Sequence, residues 1–272
     1  MTKQFKTIKF ISCKHQDWTT IDIPVGTILQ QIPDTKNLIQ PIKGIVLEYK
    51  NEVIGVPYDF LTPNYDYKTT ILLLHGFNSA PENKQAIINQ WIINNGLTDS
   101  VELIAPQLNY NPNEVIKKIG NIIQEHYGNI IVVGTSLGGF YANYVRAMNH
   151  TNQIRVHSIN PSWSPSTTLK KEVNKAQVNL KTAENWFFTE AYLNYLSNFE
   201  KKCKEELKNY KGNHYTLHLA NSDELLSFDE LTSYLDENKV KHKLYYYDTD
   251  HRFGTVVELL ENIKNELIPS SL

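Results

Sequence analysis

From residue 70 onward, short strand-like runs, the most apolar of them at 71–74 and 130–133, alternate with longer stretches whose hydrophobic positions recur at helical spacing. The runs at 71–75, 102–105, 130–134, 155–160, 215–220 and 243–247 predict strands, and the stretches at 82–94, 113–127, 137–149, 228–237 and 254–267 predict helices. Strands that are apolar on both faces need cover on both faces, so their alternation with helices predicts a parallel sheet wrapped in two helical layers. The alternation stops between 166 and 211, a polar segment of helical pattern that carries Trp186-Phe187-Phe188, Tyr192, Tyr195 and Phe199. An excursion of that length between two strands predicts a helical cap inserted at about 165–212.

Residues 1–66 follow another rhythm, with short strand-like runs at 7–12, 19–23, 38–40, 44–49 and 53–56. Turn signals at Pro24-Val25-Gly26, Pro33-Asp34 and Lys50-Asn51-Glu52 separate them, which favours a small antiparallel sheet or barrel. Residues 61–66 read as a connector. The expected organisation is therefore a small all-β domain at 1–66 and an α/β domain at 67–272.

Composition narrows the partners. With 27 Lys plus Arg against 29 Asp plus Glu, the formal charge is −2 and no basic cluster stands out, so neither nucleic acid nor a membrane surface has an electrostatic footing as partner. The amino terminus is charged but lacks an apolar stretch of signal-peptide length, and no later run approaches a membrane span. Cys13 and Cys203 are too few and too far apart for a disulfide scaffold or a zinc site, and read as unpaired thiols in a reducing compartment. The expectation is a cytoplasmic protein without metal or cofactor.

The run Ile130-Ile131-Val132-Val133 ends in Gly134-Thr135-Ser136-Leu137-Gly138 and continues with helical spacing. A Gly-x-Ser-x-Gly on a strand-to-helix turn lifts its serine clear of the sheet, because the neighbours two residues away are too small to block it. The helix that follows aims free N–H groups and a positive dipole end at charge developing beside the serine. A serine hydroxyl needs a base, and the base needs a partner to set its tautomer. In hydrolases of this motif the order is serine, acid, histidine, with acid and base on loops after late strands. Of nine histidines only His242 and His251 follow a late strand's neighbourhood, and His242 precedes its strand, at the opposite sheet edge; this leaves His251 as the base. His75 is expected to shape its loop, and His15, His126, His150, His157, His214 and His218 read as surface or satisfied structural residues. Asp223, after the run 215–220, is the expected acid, with Glu224 as the adjacent rival. Leu74-His75-Gly76-Phe77 has the form of the loop that supplies a second oxyanion donor, so the backbone N–H groups of Phe77 and Leu137 are assigned to the oxyanion hole, with Gly76 allowing close approach of substrate. Asn78, Trp163 and Trp186 are the expected pocket residues for the acyl or alcohol group.

Six segments together are similar to the YqiA-like esterases, small bacterial α/β-hydrolases: His75-Gly76-Phe77-Asn78-Ser79, Ala105-Pro106-Gln107-Leu108, the stretch from Gly134 to Ala142, Ile159-Asn160-Pro161, Asp223-Glu224-Leu225-Leu226 and His251-Arg252-Phe253. They fall in the expected order over about 70–267. The resemblance implies an α/β-hydrolase fold, a carboxylic ester or thioester as substrate, and Ser136, Asp223 and His251 as the triad. Peptidase, amidase or acyltransferase chemistry on the same triad is the alternative, as is a non-catalytic binding protein. Residues 1–66 lie outside the resemblance and look instead like the small SH3-like barrels of phage-encoded proteins, either with a face open to a protein partner or as a barrel that packs against the main domain. A phage origin would place the protein in the host cytoplasm.

Overall fold

The computed structural model describes residues 4–7, 11–14, 20–31, 44–50, 52–57, 60–63, 69–126, 129–151 and 153–267. The strand expected at 38–40 and the turn at Pro33-Asp34 lie outside these residues. The chain divides into two compact units, Met1–Tyr67 and Lys68–Leu272.

The first unit contains β1 (Gln4–Thr7), β2 (Ile11–Lys14), β3 (Thr20–Ile23), β4 (Ile28–Gln31), β5 (Gly44–Tyr49), β6 (Glu52–Pro57) and β7 (Leu61–Pro63). Five of them form an antiparallel sheet in the order β6-β5-β4-β1-β7, and β2 pairs with β3. The turn at Pro24-Val25-Gly26 is tied by Thr7, whose Oγ1 donates to the Pro24 carbonyl at 2.7 Å and accepts from the Thr27 amide at 3.0 Å. Residues 61–66 are not a connector throughout. Leu61–Pro63 is an edge strand on β1, where a terminal proline costs no ladder bond.

The second unit runs β8 (Thr69–Leu74), α1 (Glu82–Asn94), β9 (Val101–Ile104), α2 (Pro112–Glu125), β10 (Ile130–Thr135), α3 (Leu137–Met148) and β11 (Ile154–Ile159). After an insertion come β14 (Tyr215–Ala220), α6 (Asp229–Glu237), β15 (Lys243–Tyr247) and α7 (Val256–Leu267). The sheet order is β15-β14-β11-β10-β8-β9, and every neighbouring pair is parallel. Alternate side chains of the central strands enter two cores. Leu72, Leu74, Val132 and Val156 meet Val115 and Ile119 of α2 and Phe140 of α3, whereas Ile71, Leu73, Ile131 and Val133 meet Trp91 of α1 and Leu259 and Ile263 of α7. The chain leaves β8 to one side for β9 and to the other for β10, so the strand order reverses between β8 and β10. In open parallel sheets the carboxyl ends at such a reversal are where ligands bind.

The insertion differs from the all-helical cap read from the pattern. It holds α4 (Pro165–Thr168), a short 3-10 turn, the antiparallel hairpin β12 (Lys175–Val178) and β13 (Asn185–Phe188), and α5 (Glu190–Leu207). Leu196, Cys203 and Leu207 of α5 belong to the main core with Phe140 and Val145, so this helix is part of the layer that covers the sheet. Cys203 is a buried free thiol whose pKa burial pushes up to about 12. Among the described residues no helix is long and apolar enough to cross a membrane.

Candidate active site

Ser136 stands between β10 and α3 with φ 58° and ψ −117°. A non-glycine residue in this region stores roughly 1–3 kcal/mol of backbone strain, which persists only where the surroundings hold it. Here the holding is visible: the Ser136 amide donates to the Ile159 carbonyl at 2.9 Å, and the Ser136 carbonyl accepts from Phe140 at 3.1 Å and Ser162 at 3.0 Å. The two glycines make the turn possible. A β-carbon on Gly134 would overlap the Gly138 carbonyl, and one on Gly138 would overlap the carbonyl of Leu74 in β8. A serine at a helix N-cap ordinarily turns its hydroxyl back to the helix amides. Ser136 makes no such cap, and its Oγ lies 3.1 Å from His251 Nε2.

His251 reaches Ser136 from the loop after β15, and its Nδ1 lies 2.7 Å from Asp223 Oδ2 on the loop after β14. The carboxylate accepts from Nδ1–H, which leaves Nε2 as the acceptor for the Ser136 hydroxyl. The second Asp223 oxygen accepts from the amides of Leu225 at 2.9 Å and Leu226 at 2.8 Å, so the carboxylate is fixed from both sides. The Asp223 side chain is 2% exposed and that of His251 13%, which shields the pair from water but leaves the imidazole an open edge. Glu224 takes no place in this relay. It is solvent-exposed and accepts from the His251 amide at 3.1 Å; bonds from its own amide and that of His251 hold its carboxyl below the ordinary value.

Residues 70–267 match the sequence family described as Uncharacterised protein family (UPF0227). The chain belongs to that family. It is the YqiA-like family whose motifs the sequence carries. Among solved structures, this UPF0227 chain is similar to Est1E from Butyrivibrio proteoclasticus, with TM-score 0.55 and 12% identity over 82% of this chain and 96% of that one. It is also similar to a thioesterase domain from the curacin biosynthetic pathway, with TM-score 0.53 and 13% identity over 81% and 98% of the two chains. A monoacylglycerol lipase from Paleococcus ferrophilus gives TM-score 0.53 and 14% identity over 74% and 96%. The sheet of the UPF0227 chain is that of the α/β-hydrolase fold.

In this UPF0227 chain the loop after β8 lies against the elbow. A β-carbon on Gly76 would come within 3.2 Å of Ser136 Cβ and 3.7 Å of its Oγ, so any side chain here would press on the elbow by a few tenths of an ångström. Leu137 is the first residue of α3, and its N–H has no partner within the helix. His75 shapes the loop: its Nδ1–H donates to the Gly76 carbonyl at 2.9 Å and its Nε2 accepts from the Leu108 amide at 2.9 Å. Burial lowers its pKa, in keeping with a neutral ring in that role. Beside the loop a cavity of about 30 Å³ is lined by Gly76, Phe77, Asn78, Leu108, Tyr110, Leu137, Trp186 and Phe188 among others. Of the expected pocket residues Asn78 and Trp186 border it, as does Gly76. Trp163 does not: it is 5% exposed, and its ring packs against Tyr234 and beneath Lys204. Asn78, at φ 50°, is a brace, since its side chain joins Gln177 of β12 to Trp186 of β13.

One residue without an assigned role holds the three strand ends together. Asn160 follows β11, is fully buried and has φ 41°. Its Oδ1 accepts from the Ala220 amide at 2.8 Å, and its Nδ2 donates to the carbonyls of His251 at 3.2 Å and Asp250 at 3.4 Å. The acid's strand and the base's loop are thereby tied to the strand beside the elbow. The readable signal was an asparagine, tolerant of positive φ, between a strand and a proline.

Proposed function

We propose that this protein is a serine hydrolase that cleaves a carboxylic ester or thioester through an acyl-enzyme. The reading rests on one observation above all, the relay from Ser136 Oγ through His251 to a buried and doubly anchored Asp223. Ser136 Oγ attacks the carbonyl carbon while His251 Nε2 takes its proton, and the carbonyl oxygen becomes an oxyanion. The amides of Phe77 and Leu137 receive that oxyanion, each worth roughly 3–4 kcal/mol of transition-state stabilisation. The intermediate collapses as the bond to the leaving alcohol or thiol breaks, and His251 gives the leaving atom its proton. Water then attacks the acyl carbon with His251 as base, the carboxylic acid departs, and Ser136 recovers its proton. Asp223 stays ionised, orienting the imidazole and stabilising its charged form. The substrate class is drawn from the company of the fold, which includes a thioesterase domain and a monoacylglycerol lipase. For residues 1–66 the reading is a small barrel that engages a protein partner.

The test is acyl-enzyme capture. Rapid mixing with p-nitrophenyl acetate, acid quenching and peptide mass analysis are expected to place an acetyl group on the peptide bearing Ser136. Acetylation confined to surface lysines, with no Ser136 adduct, would contradict the mechanism.

A further inference from the structure

The cavity beside the oxyanion loop measures about 30 Å³. One water needs roughly 10–15 Å³ on this scale, so the space takes about two or three non-hydrogen atoms. Its walls are held in place. Trp186 stacks on Tyr110 with centroids 4.3 Å apart and planes 9° from parallel, and meets Phe77 and Phe188 edge-on at 5.4 and 5.9 Å. Its indole N–H donates to Asn78 Oδ1 at 2.7 Å, and Asn78 Nδ2 donates to Gln177 at 3.0 Å, so the ring is clamped to the loop that flanks Ser136. On the other side Tyr110 Oη donates to Glu184 at 2.9 Å and accepts from Asn179 Nδ2 at 3.2 Å. Leu196 and Tyr141, both buried, close the inner end.

The position of this box decides which part of a substrate it meets. A leaving group must lie beside His251, from which it takes its proton, yet neither His251 nor its loop contributes to the lining. The lining includes instead Gly76, which packs against Ser136, with Phe77 and Leu137, whose amides are assigned to the carbonyl oxygen; Ser136 itself is outside it. With the leaving group on the His251 side, the group that remains on Ser136 in the acyl-enzyme would be the one to enter the box.

We infer that the box formed by Phe77, Tyr110, Trp186 and Phe188 selects the acyl group by size, accepting acetyl and propionyl and excluding octanoyl, with Trp186 setting the limit. The inference rests on Ser136 being the nucleophile of an ester or thioester hydrolase. A methylene that fits or fails to fit an apolar pocket changes kcat/KM by about 10- to 200-fold, so the effect is large enough to read.

The experiment measures kcat/KM for p-nitrophenyl acetate, propionate, butyrate and octanoate with the full chain and with Trp186→Ala, Tyr110→Ala and Trp186→Phe. The natural protein should fall at least about tenfold from acetate to octanoate, and Trp186→Ala should raise the octanoate-to-acetate ratio by about tenfold or more. Trp186→Phe, which keeps a ring in the wall, should preserve the natural order. Tyr110→Ala opens the half-buried outer wall and gives a second reading if Trp186→Ala does not fold. Octanoate turned over as well as acetate by the natural protein, or an unchanged ratio in the opened variants, overturns the size limit. Labelling by a fluorophosphonate, read on the same preparations, separates the two ideas: a labelled enzyme that does not discriminate by length, or turns over none of the series, refutes the box alone. No labelling refutes the hydrolase reading as well.

Discussion

Asp223 and Glu224 are adjacent carboxylates with opposite circumstances. Asp223 is enclosed, accepts two backbone amides and faces the imidazole; Glu224 sits in solvent and meets backbone amides, its own and that of His251, but not the imidazole. Replacing Asp223 by Asn should cost about 10⁴-fold in kcat, because an amide there presents the imidazole with the wrong hydrogen-bond pattern. Glu224→Gln should cost less than about tenfold, since the His251 amide keeps a neutral acceptor. Steady-state kinetics on the two variants check both, and equal losses would remove the distinction. Asn160 acts one step further away. Asn160→Ala would leave the Ala220 amide and two carbonyls of the base's loop without their partner, for a loss of about 1–3 kcal/mol in denaturant unfolding and a fall in kcat larger than any change in KM. Ser136, His251 and Asp223 were legible as candidates because each lies in the turn or loop after a predicted strand, in the order serine, acid, histidine. Asn160 was not, because its work is done entirely on backbone groups of distant loops.

The elbow and the insertion show two different degrees of legibility among elements. Apolar strands such as Ile130–Thr135, buried at every position, can be read from composition alone. The hairpin Lys175–Val178 and Asn185–Phe188 could not, since its strands are four residues long and mostly exposed. Its turn carries no glycine either; Asn179 Oδ1 replaces one by accepting from the amides of Lys181 and Thr182, and Ala183 takes φ 58°. The same close packing that made the elbow legible makes it fragile. Gly138→Ala would drive a methyl into the Leu74 carbonyl, and α3 and β8 would have to part by a shift the parallel sheet resists. A loss of about 1–3 kcal/mol in unfolding, with reduced reactivity of Ser136, is the expected outcome; an unchanged melting curve would show that the turn relaxes freely.

Across the whole second unit, the acidic side of the stability profile is written into its core. His157 Nε2 donates to Glu266 at 3.3 Å, His157 Nδ1 accepts from His218 Nε2 at 3.0 Å, His218 Nδ1 accepts from Tyr247 Oη at 2.8 Å, and Tyr247 Oη accepts from Asn262 at 3.0 Å. Burial, with the His157 ring beside it, holds the pKa of His218 well below the ordinary 6.5. Below that pH the unfolded chain takes up a proton that the folded chain refuses. Stability is therefore complete above about pH 6.5 and lost as the pH falls, by up to about 1.4 kcal/mol per pH unit for this one group. Urea unfolding between pH 7.5 and 5 should show a shallower slope for His218→Gln than for the natural protein; parallel slopes would exonerate His218. The two histidines read from sequence as surface or satisfied structural groups, but their partnership across β11 and β14 needed the parallel register, in which His157 pairs with Thr216 and His218 follows two residues further along. The parallel run of the sheet also carries the central claim, for it brings the loop of Gly76, the elbow of Ser136 and the loops of Asp223 and His251 to one edge. The most direct measurement is reaction with a fluorophosphonate followed by intact mass and peptide mapping of the natural protein and Ser136→Ala. One adduct, on Ser136, and none on the variant is the predicted result; an unreactive natural protein, or a variant labelled as fully, would contradict the account.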